Sequence, residues 1–370
     1  MKYCPDVWKG LYVKKISNEA VDIGFCCTND RVRLDNFDNL ASSVLKKQQD
    51  FVYAVDSLQC KSCWELENTN NQSRRTGSIQ WFKNNNIELT QTNELLSLDW
   101  NSENICNLAC ISCGPVFSSK WREEIKQYSP DESVKYYNSQ KNKFWKTLDL
   151  SKLRRIYFNG GEPLLSKDHV DILSHLRDIN QLKHVEVCYN TNCTVLPNKK
   201  IIDLWQQSKL LRIYLSIDAI GPAFEFIRWP AQWDQVEKFI NKINKLDFNV
   251  ILDITCTTGI HNVLELDSVI EWHEENLKTN NQGDLVSLNI QPITVFSYGS
   301  DFLTFDKASK KTAQQIMSQC GRIKQHSSWQ WIYPKLISAQ GNNDWVFYLD
   351  QLDHHRKTNW RNTLKLSTIV

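Results

Sequence analysis

Leu95-Leu-Ser-Leu-Asp-Trp100 runs, across a short polar step, into Cys106-Asn-Leu-Ala-Cys110-Ile-Ser-Cys113. The first stretch is a short apolar run of strand length, and the second sets three thiols at intervals of three and then two residues. Three thiolates so spaced wrap one face of a cubane iron–sulfur cluster, each holding one iron, and leave the fourth iron without a protein ligand. An open position on a metal is where a substrate binds. A loop suits the task, because the backbone must curl around the cluster while a strand fixes its base. The competing reading is a zinc site with a distant fourth ligand, since short-spaced cysteine pairs also bind zinc.

Outward from that loop the chain alternates. Strand-like runs fall at residues 95–100, 155–158, 185–189, 212–217, 250–255 and 286–290. Helix-length segments fall between them, at 119–128, 167–178, 200–207, 233–245 and 263–275. Repeated βα units predict an α/β fold with a parallel sheet, and six of them fit a partial (β/α)6 TIM-like barrel better than a closed eightfold one. This barrel is expected over residues 91–295. Residues 1–90 read as a cysteine-rich segment, with a strand pair at 11–15 and 21–26 and a helix at 40–51. After residue 295 the alternation fades into an extension, 296–370, rich in tryptophan and tyrosine, with one clear helix at 344–356. Its aromatics read as core, and its basic stretch 354–357 as a solvated helix end.

The chain has 370 residues and a net charge of +2, so charge gives no reason to expect nucleic acid or anionic lipid as a partner. No run approaches the roughly 20 apolar residues that span a bilayer, and the first residues lack an apolar signal region; the expectation is a cytoplasmic protein with no membrane association. Twelve cysteines are many for such a chain, and cytosolic cysteines at short spacing bind metal or do redox chemistry more often than they form disulfides. Cys188, Cys193, Cys256 and Cys320 are scattered and read as small buried hydrophobes.

Further polar residues close the strand candidates. Gly160-Gly161-Glu162-Pro163 follows the second strand, Tyr189-Asn190-Thr191-Asn192 ends the third, Ser216-Ile217-Asp218 ends the fourth with Arg228 beyond it, and Gln291 ends the sixth. The C-terminal ends of strands are where such barrels place their chemistry. Taken together, the CxxxCxxC loop after the first strand and these motifs resemble the radical S-adenosylmethionine (SAM) superfamily over roughly residues 94–295. The resemblance implies a [4Fe–4S] cluster on Cys106, Cys110 and Cys113, with SAM chelating its open iron. It implies that Gly160, Gly161, Glu162 and Pro163 hold the amino group of SAM, that Asn190, Thr191 and Asn192 lie near the ribose, that Ser216 and Asp218 line the pocket, that Arg228 pairs with the carboxylate, and that Gln291 touches adenine. Cys193 stands where the family commonly has glycine, a departure from the pattern.

A second cysteine group, Cys4, Cys26, Cys27, Cys60 and Cys63, together with Ser73-Arg74-Arg75, is similar to the twitch half of the SPASM/twitch auxiliary-cluster domains. That implies a second [4Fe–4S] cluster on Cys4, Cys26, Cys60 and Cys63. Adjacent strand residues face opposite ways, so one of Cys26 and Cys27 serves; Cys26 is the choice and Cys27 the alternative, and a structural zinc is the alternative to the cluster. In better-known members this domain follows the barrel, whereas here it precedes it. The implied activity is reductive cleavage of SAM to a 5′-deoxyadenosyl radical that takes a hydrogen atom from a substrate, with flavodoxin or ferredoxin as electron donor. By analogy the substrate is a ribosomally made peptide, with a small metabolite as the alternative. A metal-stabilised, non-catalytic binding protein is the reading from another class.

Overall fold

The computed structural model describes residues 4–15, 20–26, 31–34, 60–68, 73–90, 92, 94–101, 104–128, 144–280, 282–293 and 300–369, with 43, 46, 47 and 50. The strands in chain order are β1 (Gly10–Lys15), β2 (Val21–Gly24), β3 (Val32–Leu34), β4 (Ser97–Asn101), β5 (Arg155–Asn159), β6 (Glu186–Thr191), β7 (Leu210–Ser216), β8 (Val250–Thr258) and β9 (Ser287–Pro292). The helices are α1 (Asp6–Lys9), α2 (Lys61–Asn68), α3 (Arg74–Asn84), α4 (Ser119–Tyr128), α5 (Asp168–Asp178), α6 (Lys199–Gln206), α7 (Gly221–Ile227), α8 (Trp233–Ile243), α9 (Leu266–Asn276), α10 (Lys310–Gln319), α11 (Trp329–Ile337), α12 (Asp344–Arg356) and α13 (Trp360–Thr363). The fold is α/β, and its parallel-strand sheet is not closed, as in a partial barrel. The six strands expected from residue 95 onward are β4 to β9. The helix expected at 40–51 falls mostly outside the described residues.

The chain divides into two compact units. The first comprises residues 1–103, 136–189 and 198–211 and carries the strand order β3-β2-β1-β4-β5-β6. β4, β5 and β6 run parallel, with Ser97 opposite Arg155 and Arg155 opposite Glu186. Ser97 to Trp100 are all buried, as in a parallel strand covered on both faces. β1 pairs parallel with β4, Gly10 opposite Ser97, and antiparallel with β2. The physical reason is that β4 would otherwise expose an unpaired edge, and Leu11, Tyr12 and Val13 of β1 are buried enough to continue the core.

α3 begins where the polar run after Cys63 meets Ser73. The Ser73 hydroxyl accepts from the Thr76 N–H, and the Thr76 hydroxyl accepts from the Ser73 N–H, a capping box that satisfies two orphan donors. Arg74 then joins Asp6 at 3.0 Å and Asp99 at 2.7 Å, and Arg75 pairs with Glu67 and lies over the Trp64 ring. The Ser73-Arg74-Arg75 motif thus ties α3 to α1, β4 and α2.

The second unit comprises residues 104–135, 190–197 and 212–370, with the strand order β7-β8-β9 from Arg212 onward. β8 and β9 are parallel, Asp253 opposite Ser287. α8 buries Val236, Phe239, Ile240 and Ile243, one stripe at helical spacing. Of the C-terminal aromatics, Trp345 and Trp360 are core as expected, fully buried and edge to face at 5.6 Å, whereas Tyr333 and Phe347 are exposed. Among the described residues no helix is long and apolar enough to cross a membrane.

Candidate active site

Cys106, Cys110 and Cys113 lie on the loop between β4 and α4, in the second unit. The loop has no ladder to join, so its backbone groups need individual partners. The first turn of α4 and the residue before it supply several. The Ser119 hydroxyl accepts from the Cys106 N–H at 3.1 Å and donates to the Cys106 carbonyl at 3.0 Å. The Ser118 hydroxyl donates to the Leu108 carbonyl, and Trp121 Nε1 to the Cys110 carbonyl at 2.7 Å. The N–H groups of Ala109 and Ile111 donate to the carbonyls of Trp229 and Ile227, which flank Arg228.

Three thiolates are a donor set of the kind that iron–sulfur clusters take. Cys106 Sγ accepts from the Leu108 N–H at 3.5 Å and from Asn192 Nδ2 at 3.8 Å, the kind of sulfur-directed contacts that tune such clusters. Burial pushes the Cys110 thiol up, against the pull of Arg228, and pushes Cys113 up to about 12. A thiol so placed becomes a ligand by giving its proton up to a bound cation. None of the described cysteines is in a disulfide, so the set is available to a soft metal. Among the described residues no three His, Cys, Asp or Glu side chains are already gathered as a metal cage.

The end of β6 meets this loop within the same unit. Asn192 Nδ2 donates to Asn107 Oδ1 at 3.0 Å, and Asn107 Nδ2 donates to Thr194 Oγ1 at 2.8 Å. Thr191 Oγ1 accepts from the Cys193 N–H. Cys193 has φ 64°, the left-handed region that glycine enters freely and other residues rarely adopt. This explains why glycine is the usual choice at that point. Asn190 is half-buried.

Asp218, completely buried, follows β7. Its Oδ1 accepts from the Thr257 N–H at 2.8 Å, and its carbonyl accepts from Asn262 Nδ2 at 2.9 Å. Arg228 Nη2 lies 2.8 Å from Asp218 Oδ2, an ion pair between two buried groups. Ser216 is half-buried at the end of β7, and Gln291 is exposed on β9.

Gly160-Gly161-Glu162-Pro163 belongs to the first unit. Gly160 has φ 126°, a conformation that requires glycine. Glu162 is buried and caps the 3-10 turn Pro163–Leu165, its Oε1 accepting from the Leu164 N–H at 3.1 Å.

The N-terminal thiols are also in the first unit. Cys4 precedes α1, Cys26 follows β2, and Cys60 and Cys63 begin α2. Burial pushes Cys4 up, with Asp6, Cys26 and Cys60 adding to it, and burial with Cys26 and Cys63 pushes Cys60 up to about 12. Among the described residues these thiols are not gathered as a metal cage. Cys27 lies outside the described residues.

One sequence reading holds for three of its four residues: His354, His355 and Lys357 are exposed at the end of α12, and Arg356 is the exception. Arg356, in the stretch read as a solvated helix end, is buried; its Nε donates to Glu124 at 2.8 Å and its Nη2 to the Ala109 carbonyl at 2.8 Å. Its hydrophobic stem and planar head pack over Trp121 at 4.8 Å, which offsets desolvation. Tyr348, also missed, donates to the Ile111 carbonyl at 2.9 Å. The available signal was their spacing, which puts both on one side of α12.

Residues 100–272 match the family model of the Radical SAM superfamily. The chain is similar to a "Probable GTP 3',8-cyclase" of Archaeoglobus fulgidus, 26% identical over 57% of this chain and 66% of that protein. A protein of the same description from Methanocaldococcus jannaschii is 25% identical over 48% of this chain and 55% of its own length. The "Molybdenum cofactor biosynthesis protein 1" of Dictyostelium discoideum is 26% identical over 41% of this chain and 22% of its own. The matches therefore span less than two thirds of each relative. Among solved structures, "Native anSMEcpe with bound AdoMet" aligns with TM-score 0.38 and 13% identity over 66% of this chain and 62% of that one. "Crystal structure of Streptococcus suis SuiB bound to S-adenosylmethionine" aligns with TM-score 0.39 and 12% identity over 86% and 69%.

Proposed function

We propose that this chain, whose residues 100–272 match the Radical SAM family model, is an enzyme whose Cys106, Cys110 and Cys113 hold a [4Fe–4S] cluster with SAM on the open iron. Bound there, cluster and SAM supply a one-electron cleavage that yields a 5′-deoxyadenosyl radical able to take hydrogen from a substrate. The protein's part is orientation and exclusion of water. The observation that carries the reading is the loop itself: three thiols on eight residues whose backbone groups are pinned by Ser118, Ser119 and Trp121. Asn192 steadies the loop from β6. By resemblance Glu162 takes the ammonium of SAM and Arg228 its carboxylate, the second a match for a planar fork. By the same resemblance Gly160, Gly161, Pro163, Asn190, Thr191, Ser216, Asp218 and Gln291 are further SAM-binding residues. Cys4, Cys26, Cys60 and Cys63 hold a second cluster, with zinc as the alternative.

Two substrate readings differ. The twitch-like cysteine group favours a ribosomally made peptide. The similarity to probable GTP 3′,8-cyclases favours a small metabolite such as a nucleoside triphosphate. Protein reconstituted without oxygen and given dithionite and SAM is expected to release methionine and 5′-deoxyadenosine in equal amounts. The Cys106/Cys110/Cys113 triple alanine variant is expected to release none, and cleavage retained in that variant overturns the reading. Deuterated GTP and a deuterated peptide then separate the substrate classes by which one passes label to 5′-deoxyadenosine.

A further inference from the structure

The carbonyls on either side of Cys110 are both taken by side chains of the C-terminal extension. Tyr348 Oη donates to the Ile111 carbonyl at 2.9 Å, and Arg356 Nη2 to the Ala109 carbonyl at 2.8 Å. Trp121 Nε1 takes the carbonyl of Cys110 between them. The N–H groups of the same two residues go to the carbonyls flanking Arg228. Ala109 and Ile111 are thus bonded through both backbone polar groups, one side to the Ile227–Trp229 segment and the other to α12.

Arg356 brings more than a hydrogen bond. Its side chain is 2% exposed, while its partner Glu124 is 13% exposed. Solvent therefore screens the carboxylate more than the guanidinium. Arg356 Nη1 is buried without a hydrogen-bond partner among the described residues. The guanidinium of Arg356 sits on the carbonyl of Ala109, the residue before Cys110. Reduction of a cluster on this loop adds a negative charge, and a buried cation beside it stabilises the reduced state; net charge and hydrogen bonding are two levers that set cluster potentials.

We propose that Tyr348 and Arg356 of α12 are positioning residues for the cluster on Cys106, Cys110 and Cys113, fixing the backbone on both sides of Cys110 and, through Arg356, favouring the reduced cluster. The proposal rests on the reading of those three cysteines as cluster ligands.

The test uses full-length protein reconstituted without oxygen, in wild-type, Arg356→Met, Arg356→Lys and Tyr348→Phe forms. Two readouts are taken: the midpoint potential of the cluster whose electron paramagnetic resonance signal changes on adding SAM, and the rate of iron loss to bathophenanthroline. Arg356→Met is expected to lower the midpoint and Arg356→Lys, which keeps the charge, to restore most of it. Tyr348→Phe is expected to keep the wild-type midpoint and to lose iron several-fold faster. A wild-type midpoint in folded Arg356→Met, or wild-type iron loss in Tyr348→Phe, overturns the proposal. The second criterion decides alone where Arg356→Met does not fold. Wild-type protein that takes up no iron is a separate failure, of the cluster reading beneath it.

Discussion

His169 is almost fully buried, with Nδ1 2.9 Å from the Tyr189 hydroxyl and no hydrogen-bond partner for Nε2 among the described residues. His261 is equally buried, with neither ring nitrogen bonded to any of the described residues. Burial lowers both from 6.5 to about 3, with Arg228 adding to the effect at His261. Each is neutral when folded and takes a proton near pH 6.5 when unfolded. The unfolded state thus binds more protons between pH 6.5 and about 3. The stability each contributes is complete above 6.5 and declines as pH falls through that window, by about 1.4 kcal/mol per pH unit per histidine. Urea unfolding at stepped pH is expected to show this slope, and His169→Phe to reduce it by about 1.4 kcal/mol per unit; an unchanged slope shows that His169 is already charged in the fold. Such burial is not legible from a lone histidine in a sequence. Cys193 is the opposite case, because its departure from the family's usual glycine marked a backbone position that the structure places at φ 64°.

Elements were legible wherever periodicity was strong. Alternating short apolar runs and helical stripes located β4 to β9 and the helices among them, since core burial imposes both patterns. The pairing of β1 beside β4 was not legible, because register and partner are tertiary choices that a single strand does not encode. α12 was found as a helix, yet the role of its last turn was missed. Basic residues near a helix C-terminus are favoured by the helix dipole on any surface helix, so Arg356 looked ordinary. Its partners Ala109 and Glu124 lie 247 and 232 residues earlier in the chain. What seats α12 is apolar: Trp345, Leu349 and Leu352 are buried, and Trp345 packs against Trp360. Trp345→Ala is expected to cost about 3–5 kcal/mol, as for other buried large-to-small changes, and to loosen the loop that Tyr348 holds. Chemical denaturation measures the first effect; a loss below about 1 kcal/mol would show that this packing does not anchor the helix.

At the scale of the whole chain, two cysteine groups stood out from spacing alone, one of three thiols and one of four or five. Three thiols leave an iron open and four close a cubane, so the sequence already separated a reactive site from a saturated one. It did not choose between Cys26 and Cys27, nor between iron and zinc, because thiolates bind both. The structure places Cys4 before α1, Cys26 after β2, and Cys60 and Cys63 at the start of α2. Without a cation, four such thiols must stay protonated in a half-buried place; with one, they staple α1, the end of β2 and α2 together. Metal analysis distinguishes the possibilities. About eight irons in wild type, falling to about four in Cys60→Ala and to about four in the Cys106/Cys110/Cys113 variant, are expected for two cubanes. SAM cleavage assays on the same samples separate the halves, because Cys60→Ala keeps the cluster on which cleavage depends and the triple variant does not. About four irons in wild type with one zinc, the zinc alone lost in Cys60→Ala, assigns the N-terminal thiols to structural zinc. Unchanged iron and zinc in Cys60→Ala removes Cys60 from any metal site and leaves the N-terminal thiols as buried core.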